Sequence, residues 1–207
     1  PGQKVEADGT VISGKDRPVV LLVNKPRGIV CTTSDKDRAP NVVDLIQYPA
    51  RVYPVGRLDK DSEGLLLMTN QGELANEIMH AGNLHEKEYL VTVDQPFNAA
   101  FIKKMQEGVE LKELGVTTRP CRVEATGPKS FRIILTQGLN RQIRRMCEEL
   151  GYHVVTLKRV RIMNILLGKL NTGDFRRVTP KELEELEYQL ACARELREEA
   201  RESDLED

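Results

Sequence analysis

At 207 residues, with 40% hydrophobic and 30% charged side chains, the chain can form one large domain or two small ones around an ample core. No apolar run approaches the roughly 20 residues that cross a bilayer and no signal-peptide pattern occurs, so a soluble, cytoplasmic protein is expected. The net charge of -1 averages two unlike parts: residues 181–207 carry 4 basic and 11 acidic side chains, leaving 27 basic and 21 acidic in residues 1–180.

Residues 1–12 read as a short hairpin around Asp8-Gly9, and 13–18 as a linker. Val19 to Asn24 is an apolar strand that Pro26-Arg27-Gly28 breaks, with Gly28 allowing an unusual backbone angle. A polar loop covers 33–40, and Asn41 caps a short helix to Ile46. Strands at Val52–Val55 and Leu65–Met68 flank a polar run. Asn70 is expected to cap a helix with Leu74, Ile78 and Met79 inward. Glu88–Val93 alternates like a strand, and 98–108 is helical, with Ala99, Ile102 and Met105 on one face. Strands at 119–125 and 131–137 pair across Gly127-Pro128. In the helix over 140–150, Ile143, Met146, Cys147 and Leu150 form the inner stripe and Gly151 ends it. Strands at 153–157 and 160–166 follow, and Pro180 opens a last helix whose acidic end is expected to fray. Strands and helices without strict alternation indicate an α+β fold with a mixed, mostly antiparallel sheet flanked by helices.

The run Gly56-Arg57-Leu58-Asp59-Lys60-Asp61-Ser62-Glu63-Gly64 lies between two apolar strands. In extended chain Arg57 and Asp59 face one way and Leu58 the other. A carboxylate beside a guanidinium stays ionised even when partly buried, as a nucleophile or general base requires. Asp61 reads as an exposed loop charge. Arg141, Arg144, Arg145, Lys158, Arg159 and Arg161 crowd one stretch against Glu148 and Glu149 only, the footprint of a phosphate-backbone partner or of a solvated face. Arg144 sits about 100° around its helix from Ile143, where its guanidinium can turn inward or snorkel. The scattered Cys31, Cys121, Cys147 and Cys192, with His80, His85 and His153, lack ligand spacing, so no metal is expected. There is no P-loop or dinucleotide fingerprint either.

The central run resembles the main motif of the pseudouridine synthases, of the branch comprising the RsuA, RluB, RluE and RluF types. Lys25-Pro26-Arg27-Gly28, Lys87-Glu88-Tyr89 and Gly138 to Met146 resemble its other motifs, in the family's order over roughly 18–180. The stretch His80 to Leu90 is most similar to the RluF type, which acts on 23S ribosomal RNA. The resemblance implies the pseudouridine synthase fold with a central active-site cleft. It also implies a catalytic domain over 15–190 made of two subdomains sharing one sheet, a remnant of an S4 RNA-binding domain and linker at 1–14, and an acidic helix or tail at 191–207. It assigns Asp59 as the catalytic carboxylate, Arg144 as its partner and Tyr89 as the ring beneath the uracil. Arg57, Arg141, Arg145, Lys25 and Arg27 are the expected RNA contacts, the Lys25 motif also supporting the active-site loop. No cofactor is implied, and the expected partner is ribosomal RNA, bound by a monomer. A 16S enzyme of the same family, a non-catalytic RNA-binding assembly factor and a glycosidase are the alternatives; the last needs two placed carboxylates, and only Asp61 offers itself as the second.

Overall fold

The computed structural model describes residues 5–7, 10–12, 17–32, 40–80 and 85–205. Along the chain run β1 (Val5–Ala7), β2 (Thr10–Ile12), β3 (Val20–Lys25), α1 (Val42–Ile46), β4 (Tyr53–Val55), β5 (Glu63–Thr69), α2 (Gly72–His80), β6 (Lys87–Val93) and α3 (Ala99–Glu107). There follow β7 (Glu110–Leu111), β8 (Val116–Thr117), β9 (Arg122–Ala125), β10 (Ser130–Leu135), α4 (Gln142–Glu149), β11 (Val154–Ile162), β12 (Ile165–Leu166), β13 (Phe175–Arg177) and α5 (Pro180–Leu205). Strands β1 and β2 pair as expected, but the turn between them, the linker at 13–16, the polar loop at 33–39 and Ala81–Leu84 lie outside the described residues.

One nine-stranded sheet carries the fold, in the order β13-β3-β5-β11-β6-β10-β9, with β4 beside β5 and β12 beside β11. Its pairings are antiparallel except β5 with β11, which run parallel at Lys158–Glu63 and Arg159–Gly64. That short parallel seam joins two halves. In the first half both faces of the sheet are covered, because β3 and β5 are continuous apolar runs. Leu22, Leu65 and Leu67 pack with α2 and α5 through Ile78, Leu186 and Leu190. Leu21, Val23, Leu66 and Met68 pack with α1 and with Leu58. In the second half Val91, Ile133 and Leu157 meet α3 and α4 through Phe101, Met105, Ile143 and Met146. A fully buried aliphatic or aromatic side chain stabilises by roughly 1.5–3 kcal/mol, so the two halves hold separate cores that meet across β5 and β11.

Several elements depart from the sequence expectation. Asn41 does cap α1, accepting the Asp44 N–H at 2.9 Å. Asn70 does not cap α2: its side chain accepts the Val19 N–H at 2.9 Å and donates to the Arg17 carbonyl at 2.8 Å, tying down the entry to β3. Met79 is 57% exposed, with Ala75 and Ile78 turned inward instead. In α3 the larger Phe101 takes the inner position with Met105, and Ala99 is exposed. The two strands expected at 153–157 and 160–166 are one nine-residue strand with register shifts near Val154 and Arg159, closed by a hairpin at Met163, whose φ is +52°. Helix α5 continues to Leu205 rather than ending early. Its start has a reciprocal cap: Glu182 N–H donates to Thr179 Oγ1, and Glu182 Oε1 accepts the Thr179 N–H. Arg176 holds the same carboxylate through two bonds and lowers its pKa to about 2. Among the described residues no helix is long and apolar enough to cross a membrane.

The seam depends on Gly64. Its φ is +106°, and a Cβ there would lie 2.2 Å from the Arg159 carbonyl oxygen. Gly64→Ala is therefore expected to destabilise the protein by at least ~2 kcal/mol, measured as a fall in the urea unfolding midpoint.

Candidate active site

The loop between β4 and β5 carries Arg57 to Ser62, and its backbone is held almost completely. Five consecutive carbonyls accept a hydrogen bond. Arg159 Nη1 reaches Arg57 O at 3.5 Å, Cys31 Sγ reaches Leu58 O at 3.2 Å, and Ser62 N–H reaches Asp59 O at 3.0 Å. Gly28 N–H and Lys25 Nζ both bind Lys60 O, at 2.8 and 3.4 Å, and Arg144 Nη2 binds Asp61 O at 3.0 Å. Leu58 plugs the loop into the core while Arg57 and Asp59 face outward, as the alternation implied, although the segment is irregular rather than a strand.

Lys25 is not a surface cation. It is 0% exposed, and Nζ donates to Pro26 O at 2.8 Å and Ile29 O at 2.7 Å as well as to Lys60 O. Burial lowers its pKa, with nearby Cys31, Asp61 and Asp59 opposing. Its three carbonyl bonds fasten the turn after β3 to the Asp59 loop, so it cannot meet RNA. Arg27, exposed at that turn, lines a recess of ≈ 490 Å³ with Gly28, Asp59, Lys60, Asp61 and Arg141.

The arginine pairing also differs from the expectation. Arg144 is 8% exposed and turned inward, but its carboxylate is Asp61: Nη1 lies 3.5 Å from Oδ2, while Nη2 donates to Asp61 O and to Ser62 Oγ at 3.2 Å. The ion-pair contact to Asp59 comes from Arg141, whose Nη1 is 3.5 Å from Oδ2. Arg141 grips Asp61 more closely, with a bidentate pair at 3.1 and 2.9 Å. The cause lies in the backbone: Arg141 sits at the N-terminus of α4 with φ +50°, ψ +36°, which swings its side chain across both carboxylates instead of out to solvent. Asp61 is accordingly no idle loop charge. The Arg141 bonds, helped by the Arg144 charge, hold its pKa below the usual carboxylate value. Arg145 is engaged by Glu113 and Asn140.

Beside this loop opens a cleft of ≈ 510 Å³ between the two halves. Asp59 is the one carboxylate lining it among the described residues, facing Arg57, Lys87, Arg141, Arg159 and the half-buried Tyr89. Register brings these groups together: Lys25 pairs with Gly64, Gly64 with Arg159, and Arg159 with Tyr89, in one row across the sheet. Tyr89 lies with Val91 on the inner face of β6, against the second core. Two lining residues were not expected here. Arg159, only 4% exposed, donates from Nε to Leu65 O at 2.8 Å. Lys87 projects beside Tyr89, its pKa lowered to about 8 by burial and by Arg159. The two-residue period from Tyr89 could have indicated Lys87; the sequence marks Arg159 only as one of the basic cluster over 141–161, with nothing to place it in the cleft. Among the described residues no group of His, Cys, Asp and Glu is arranged to hold a metal ion.

Residues 19–149 match the profile of the family described as RNA pseudouridylate synthase. The chain is 50% identical over 188 residues to the dual-specificity RNA pseudouridine synthase RluF of Escherichia coli K12, covering 90% of this chain and 64% of the relative's length. It is 34% identical over 188 residues to ribosomal large subunit pseudouridine synthase B of Bacillus subtilis, covering 88% of this chain and 77% of that one. A pseudouridylate synthase crystal structure superposes with a TM-score of 0.77 at 30% identity, over 85% of this chain and 76% of the other. The chain belongs to the RNA pseudouridylate synthase family and has its fold.

Because the Asp61 pKa is lowered in the folded state, its ion pairs contribute stability above the ordinary carboxylate pKa, and that contribution fades as pH falls through the folded value. Asp61→Asn is expected to lower stability by about 1 kcal/mol near pH 7. Urea unfolding of both proteins across pH should show the gap closing below about pH 4.

Proposed function

We propose that this chain isomerises a uridine of ribosomal RNA to pseudouridine, with Asp59 as the carboxylate that acts on the ribose. The observation that carries this reading is that Asp59 is the one carboxylate lining the cleft among the described residues, on a loop whose carbonyls are held one after another, in a cleft that Tyr89 also lines. The reaction breaks the bond from N1 of the base to C1′ and remakes it from C5, so the group it needs is an ionised carboxylate at the sugar. Oxidation state does not change, and no cofactor is required. Asp59 either attacks C1′ or removes the 2′ proton; the base leaves with the bonding electron pair, turns, and rejoins through C5, displacing the Asp59 carboxylate from C1′ in the first route or regaining the 2′ proton from it in the second. The C5 proton is then lost and N1 takes one up. Tyr89 offers its ring to the uracil face and its hydroxyl to the C5 proton. Arg141 and Arg144 act together, one spanning Asp59 and Asp61, the other fixing Asp61.

A stacked uridine cannot reach the cleft and must flip into it, at a cost of a few kcal/mol. Arg57 at the cleft and Arg27 at the adjoining recess are placed to offset that cost through flanking phosphates. The resemblance of His80 to Leu90 to the RluF type, together with the 50% identity to the dual-specificity RluF protein of Escherichia coli, supports 23S ribosomal RNA as substrate over the 16S RNA of a small-subunit enzyme. A binding-only module would have no use for a carboxylate so constrained, and with Asp61 committed to two arginines the described residues of the cleft offer no second carboxylate for a glycosidase.

Asp59→Asn should leave the fold and RNA affinity unchanged and reduce pseudouridine formation at least ~10³-fold. Carbodiimide-blocked primer extension on unmodified 23S and 16S RNA checks this. A stop in 23S that vanishes with the variant is the expected outcome, and a variant with full activity would overturn the reading.

A further inference from the structure

We propose that Lys87 and Arg159 form an anion-stabilising subsite for the departing uracil, a contribution to the isomerisation separate from the carboxylate chemistry of Asp59. This rests on the function proposed above. Once the bond from N1 to C1′ breaks with its electron pair on the base, uracil is an anion whose charge spreads over O2 and O4. The ribose side of the reaction has Asp59; the base side needs positive charge or donors within reach of the ring.

The cleft supplies both. Lys87 and Tyr89 are two residues apart on β6, so they share a face and lie about 7 Å apart along the strand. A base resting on the Tyr89 ring is within reach of the Lys87 ammonium. That ammonium makes no hydrogen bond or ion pair among the described residues. Instead it sits inside the cleft near Gly138, where a Cβ on the glycine would stand 3.8 Å from Nζ. Leu135 and Leu157 line the same cleft. Arg159 is 96% buried, and although two of its nitrogens bind the Leu65 and Arg57 carbonyls, Nη2 has no partner. An ammonium without a partner and a buried guanidinium with an unpartnered nitrogen, lining one partly desolvated cleft, repel one another and make each other's burial costly. An anion between them removes both costs. A backbone phosphate would be held at the rim, by Arg57 and Arg27; the flipped base is what enters this deep.

The test uses transcripts of 23S and 16S RNA made with uridine or with 5-fluorouridine, under single-turnover conditions, following disappearance of the N-linked nucleoside. Fluorine at C5 withdraws electrons and makes the departing base a more stable anion, so less help is needed from the protein. Lys87→Met is expected to slow uridine conversion by about 10²-fold but 5-fluorouridine conversion by less than about a tenth of that factor, with Lys87→Arg restoring most of the uridine rate. Circular dichroism and RNA affinity matching the unaltered protein exclude a folding defect, and Lys87→Gln carries the comparison if Lys87→Met does not fold. Equal deficits on both nucleosides, or no deficit on either, would overturn the subsite. If the unaltered protein converts neither RNA and Asp59→Asn behaves identically, the isomerase reading itself fails.

Discussion

The tightest site among the described glycines, Gly64, where a Cβ would stand 2.2 Å from the Arg159 carbonyl oxygen, fixes how the two half-sheets meet at the cleft. Two half-sheets, each with its own core, could meet at many angles. A parallel pairing of two residues, admissible only where one of them has no side chain, selects one of them. From that point the row Lys25, Gly64, Arg159, Tyr89 runs straight across the sheet. The loop bearing Asp59 begins one strand away from it. A carboxylate on a free loop would need to be ordered anew for each substrate. Here β3, α4, β11 and the turn after β3 each contribute a donor to successive carbonyls of the loop, so the ordering entropy is lost once, on folding.

The arginines distribute charge in a way that favours reactivity. A tight bidentate pair would hold Asp59 ionised but would also occupy both its oxygens. Arg141 spends its two best bonds on Asp61 and leaves Asp59 a single, longer contact at 3.5 Å. Asp61 thus serves as the anchor that aims Arg141, and Arg144 in turn anchors Asp61. Asp59 has a guanidinium beside it while keeping lone pairs free, as the proposed chemistry at the ribose requires.

The strands, the α1 cap and the inner stripe of α4 were legible because each follows from local periodicity or a cap within a few residues. What escaped the sequence was set by tertiary choices. Asn70 has the side chain of a helix cap but is drawn to the β3 backbone, which lies beside it only in the folded sheet. The left-handed backbone at Arg141 brings it, rather than Arg144, to Asp59, and nothing in the run Asn140-Arg141-Gln142 announces it. The cap at Thr179 and Glu182 was readable from its spacing; strand β13, only three residues long, exists because β3 offers it an edge.

Two lysines show what separates a structural charge from one available for chemistry. Lys25 and Lys87 both have lowered pKa values, and in both burial is the main cause. Lys25 is the more buried, yet its three donors are matched by three backbone carbonyls, so its burial is compensated locally and its effect is to fasten the loop. Lys87 is less buried but faces a cleft whose nearest charge is another cation. Among the described residues nothing compensates its burial, the part proposed for the departing base. Burial alone would rank the two lysines in the wrong order; counting the partners of each donor is what assigns Lys87, not Lys25, to the proposed uracil subsite.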